Sequence, residues 1–158
     1  MDNRTKLLIR LEVIWWLITG IILLGVLFPI YKTLGEIKYP FWVSNCVFIV
    51  IFITFSRYIF LTKHTILAYR QWWKVVVAII CIPLFIYLLD EFSYFRRIAD
   101  EVGLEELFDH LSLKGQISMA NYVKSEMLFF GAGSIICSVI MPIRMLISFW
   151  RTYNRGTV

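Results

Sequence analysis

Four stretches of this chain, residues 7–31, 39–62, 72–89 and 127–150, are nearly unbroken runs of apolar side chains. A helix needs about 20 such residues to cross the ~30 Å hydrocarbon core of a bilayer. The first run carries no charge from Val13 to Tyr31, the second is interrupted only by Arg57, and the fourth only by Arg144. The third has Lys74 near its start. In lipid the backbone must satisfy its own hydrogen bonds, so these segments are expected to be helices. A membrane β-barrel would need alternating strands of about ten residues. The segments 18–28 and 47–55 are largely apolar on all sides, which excludes that pattern. Composition agrees: 59% of the 158 residues are hydrophobic and the mean hydropathy is +0.74. Soluble domains average roughly 45–50% apolar residues.

The reading is a single all-α membrane domain over residues 1–158. It is a four-transmembrane-helix bundle whose third and fourth helices are joined by an outer loop at 90–125. The first run has a basic start (Arg4, Lys6, Arg10) but no small-residue cleavage pattern, so it is expected to be an uncleaved span. The first two helices should form an antiparallel hairpin turning near residues 33–36. Pro83 and Pro142 are expected to kink their helices. No sizeable soluble domain is expected at either end.

Charge sets the expected direction. Arg4, Lys6, Arg10, Arg57, Lys63, Arg70, Lys74, Arg144, Arg151 and Arg155 fall on one side, and Lys32, Lys38, Arg96, Arg97, Lys114 and Lys124 on the other. The richer side holds both termini, which are therefore expected to be cytoplasmic in a multi-pass inner or plasma-membrane protein. Trp72, Trp73 and Trp150 fit the inner interface and Trp42 the outer one.

Three groups of residues are candidates for function. Arg10, Glu12, Arg57 and Arg144 should lie at similar depth near the cytoplasmic face, where Glu12 would pair with an arginine. Charge in hydrocarbon is costly, so such a cluster is an ion or proton site, an anion site made by two arginines, a structural ion pair, or arginines whose stems snorkel to the headgroups. In the outer loop, Phe95, Ile98 and Val102, then Leu104, Leu107, Phe108 and Leu111, recur at helical spacing beside an acidic set that includes Glu105 and Glu106. Short amphipathic helices broken at Gly103 are expected there, with Ser118 capping the helix into the last span. Phe95, Ile98, Glu105, Glu106, Leu107, Phe108 and Leu111 would form a partner-docking surface. Gly131, Ser134 and Ser138 give the last span a small-residue face suited to close helix packing.

The remaining signals are weak. Cys46, Cys81 and Cys137 lie inside apolar runs without CxxC spacing, and read as small hydrophobes. Glu106 and His110 are four apart but lack a third metal ligand, and His64 stands alone, so no metal or cofactor is expected. No basic face on a soluble fold points to nucleic acid. With no catalytic constellation, the expected function is a non-enzymatic subunit or scaffold of a larger membrane complex. It would dock other membrane subunits, or further copies of itself, through its helices and outer loop. The alternative is a small oligomeric transporter or channel using Glu12, Arg57 and Arg144.

Overall fold

The computed structural model describes residues 3–34, 39–61 and 71–154. Its elements are α1 (Asn3–Leu34), α2 (Trp42–Leu61), α3 (Gln71–Glu101), a 3₁₀ turn (Leu104–Phe108) and α4 (Leu113–Tyr153). All four helices are long and apolar enough to cross a bilayer, which points to a multi-pass membrane protein. The turn expected at 33–36 lies partly outside the described residues. Lys38, Lys63, His64, Arg70 and Arg155 lie wholly outside them.

The segment expected to be a long outer loop is mostly helix. α3 continues twelve residues beyond position 89, and α4 begins fourteen residues before position 127. At 1.5 Å per residue, α3 is about 46 Å long and α4 about 61 Å, well beyond ~30 Å of hydrocarbon. The polar residues of 90–101 and 113–126 therefore sit on helix extensions, and only residues 102–112 connect them. Gly103 does break the chain there, with a positive φ of 85° that a Cβ would oppose. Its N–H and that of Val102 both bond back to the Ile98 carbonyl, closing the end of α3. Ser118 is inside α4; Ser112 occupies the N-cap position and makes no side-chain cap bond. Pro29, Pro83 and Pro142 all lie within helices.

α4 is the central element and packs along both α2 and α3. Gly131 and Gly133 allow this approach. A Cβ on Gly131 would lie 2.6 Å from the Phe92 ring of α3, and one on Gly133 would lie 2.6 Å from the Phe52 ring of α2. Ser134 and Ser138 are buried on the same helix, bonding the carbonyls of Gly131 and Ile135. The small-residue face of Gly131, Ser134 and Ser138 is thus covered within the chain.

Two hydrophobic cores result. One, at the termini end, joins Phe55, Ala78, Cys81, Cys137, Met141 and Met145. The larger, at the opposite end, includes Ile30, Phe41, Phe48, Leu88, Phe95, Leu104, Phe108 and Met127. There the 3₁₀ turn folds over the helix ends as a cap. α1 packs least tightly. It turns one seam inward, through Glu12, Trp15, Thr19, Leu23, Leu27, Ile30 and Leu34, and leaves Val13, Trp16, Leu17, Ile21, Leu24, Phe28 and Tyr31 exposed. Gly20 and Gly25 have no atom within 4 Å of a Cβ position.

Candidate functional site

Polar side chains enter the bundle in two layers, one toward each end. In the layer near the termini, Arg57 of α2 meets Glu12 of α1, with Nη2 2.7 Å from Oε2 and side-chain exposures of 6% and 13%. The Tyr58 hydroxyl reaches the same Glu12 oxygen at 3.5 Å. The guanidinium also lies over the rings of Tyr58, at 5.1 Å, and Trp15, at 5.5 Å. Such stacking suits a weakly hydrated, delocalised cation. Glu12 Oε1 is buried without a hydrogen-bond partner.

The four-residue cluster expected from the sequence reduces to this pair. Arg10 and Arg144 are exposed and do not join it. Arg10 is two residues from Glu12, about 200° around α1, so only one of them can lie on the inward seam. On α4 the inward stripe runs through Met141 and Met145, both fully buried, and Arg144 lies off it. A different cation is enclosed instead. Lys74, only 2% exposed, donates to Ser148 Oγ at 3.0 Å, linking α3 to α4. From sequence Lys74 counts only as a boundary charge, and nothing in its spacing marks it as enclosed. Nearby, Ser56 and Cys137 are in hydrogen-bond contact at 3.4 Å.

The second layer, beneath the cap, goes beyond what the sequence predicts. Ser44 of α2 donates to Glu91 of α3, and its neighbour Asn45 donates to Glu126 Oε1 of α4. Asn45 Nδ2 also reaches the Tyr39 hydroxyl at 3.5 Å. Glu126 is 8% exposed, and its Oε2 has no partner. No lysine, arginine or histidine forms an ion pair with Glu91 or Glu126 among the described residues. One turn from Glu126, the Tyr122 hydroxyl donates to the Val26 carbonyl of α1 at 2.8 Å. Sequence patterning does not single out Glu126, because it directly follows Lys124 and Ser125 at the edge of an apolar run. The adjacent Ser44–Asn45 pair inside the second run is the one signal that points to this layer.

The loop residues expected to dock a partner divide by burial. Phe95 and Phe108 are fully buried, and Ile98, Leu107 and Leu111 pack partly buried against the same core. Of the seven, only Glu105 and Glu106 face outward. His110 contacts the Thr33 carbonyl at 2.9 Å, tying the cap to α1. No cluster of three or more metal-binding side chains occurs among the described residues.

No protein-family model, curated protein or solved structure matches this chain.

Proposed function

We propose that this chain is a non-enzymatic membrane subunit that associates with other membrane chains, or with copies of itself, chiefly through α1. The supporting observation is the packing of α1, which offers one narrow seam to its own bundle and leaves Gly20 and Gly25 unopposed. In lipid, helices associate by close packing and not by escape from water. A helix that packs sparsely at home is the natural place for another chain. The exposed acidic pair Glu105 and Glu106 would form a second, polar contact at the cap.

The test is particle size after extraction into lipid nanodiscs. The wild type should migrate well above the size of one 18.7 kDa chain. Gly20→Leu with Gly25→Leu should reduce that size without unfolding the protein, because a Cβ at either position has no atom within 4 Å. A wild type that runs as a single chain would end this reading.

A second reading is solute transport, favoured by the Glu12–Arg57 pair and the unpaired Glu12 Oε1 between α1 and α2. It requires Glu12→Gln to abolish flux in proteoliposomes while the helical content is kept. Unchanged flux would remove Glu12 from any such pathway.

A further inference from the structure

Toward its far end α4 carries Arg144, Ser148 and Arg151 at i, i+4, i+7 spacing, which puts all three on one face of the helix. Both arginines are exposed, and neither makes an ion pair or a hydrogen bond among the described residues. Ser148 is half-buried between them. Its Oγ accepts the Lys74 ammonium at 3.0 Å, which leaves the hydroxyl its one proton to donate. No aspartate or glutamate occurs in residues 71–89 of α3 or 127–153 of α4. This end of the two helices therefore holds Lys74, Arg144 and Arg151 with no anion of its own.

Trp72 and Trp73, next to Lys74, and Trp150, next to Arg151, are all exposed. Tryptophan rings collect where hydrocarbon meets headgroups, so these three mark that level on the protein. Beside the arginine face, Ile140, Ile143 and Ile147 are exposed as an apolar stripe. A lipid chain lying along this stripe would bring its phosphate to the two guanidinium groups. Guanidinium presents its N–H donors as a fork that fits phosphate oxygens. The enclosed charge of Lys74, uncompensated by any carboxylate on α3 or α4 at this end, adds to the attraction for an anion. We propose that Arg144, Ser148 and Arg151 form a binding site for the phosphodiester of an anionic phospholipid. The tryptophans and isoleucines favour a phosphate borne by lipid over a free one. The site is independent of whether the chain assembles with others and of any role for Glu12.

The probe is dioleoylphosphatidylglycerol, titrated into the full chain in a non-ionic detergent, with bound lipid counted by native mass spectrometry. The wild type should hold it about tenfold or more tightly than dioleoylphosphatidylcholine, whose headgroup carries no net charge. Arg144→Gln with Arg151→Gln should weaken binding of the anionic lipid about thirtyfold, each arginine beside an anionic headgroup contributing about fivefold. Arg96→Gln with Arg97→Gln, toward the cap, should leave binding unchanged. Circular dichroism would verify that both double variants keep the helical content. Equal affinity for the two lipids would reduce the arginines to unselective contacts and overturn the site. So would full binding to the Arg144 and Arg151 double variant, or equal weakening by the Arg96 and Arg97 one. Displacement of the lipid by millimolar inorganic phosphate would assign the face to a soluble phosphate and overturn the lipid as its occupant.

Discussion

Each buried charge in this bundle is handled differently, and the differences can be measured. Arg57 and Glu12 compensate one another, so removing one partner strands the other in an apolar setting. Arg57→Met should destabilise the protein by about 3 kcal/mol, the usual scale for breaking a buried pair from one side. Adding Glu12→Gln to Arg57→Met should recover most of that loss, since two neutral groups then replace two charges. Thermal unfolding of the single and double variants in one detergent would check this, and equal midpoints would argue that the pair carries no coupling. Among the described residues, the hydrogen-bond partner of Lys74 is one hydroxyl, Ser148 Oγ. Ser148→Ala should therefore destabilise by about 1–3 kcal/mol, the cost of a buried polar group losing its partner, while Lys74→Met with Ser148→Ala should be nearly neutral. The same thermal scans would show it.

At the scale of elements, contacts among rings and glycines set the helix spacing. Gly131→Leu must displace the Phe92 ring, and overpacking of this kind typically costs about 1–3 kcal/mol. Gly20→Ala, on the open side of α1, should leave the unfolding midpoint unchanged or slightly raised. In the cap, Phe108→Ala removes a fully buried ring, and about 3–5 kcal/mol is the usual loss. Faster hydrogen exchange confined to the cap and adjoining helix ends would locate that loss. The four helices were legible in the sequence because apolar runs that match the thickness of a bilayer rarely do anything except cross one. Their true lengths were not, because Asp90, Glu91, Arg96 and Arg97 read as the end of a span followed by separate short helices, where α3 in fact runs on unbroken. Yet Leu88, Phe92, Phe95 and Ala99 continue the helical spacing through that segment, and all four pack in one core. The polar layers were legible only in part. Glu12 and Arg57 stand out in apolar runs, whereas burial of Lys74 and Glu126 is decided by neighbours on other helices.

At the scale of the whole molecule, four helices that each cross a bilayer once would put the start of α1 and the end of α4 on the same side. Cysteines introduced at Leu7 and Tyr153, in a background lacking Cys46, Cys81 and Cys137, should react with an impermeant maleimide from one face of sealed vesicles. One introduced at Glu105 should react from the other. The molecule also has a mechanical property that follows from α4. This helix is one continuous rod of about 61 Å, bearing Glu126 near the cap and Ser148 at its far end. Pivoting such a rod by about 5° carries its far end through about 5 Å. Pro142 cannot donate to the Ser138 carbonyl, which makes it the soft point of the rod, with 29 residues on the cap side of it. A push on the cap, from a partner or from lateral pressure in the bilayer, would therefore travel as a lever stroke to that joint, and bending there would decide how much reaches Ser148.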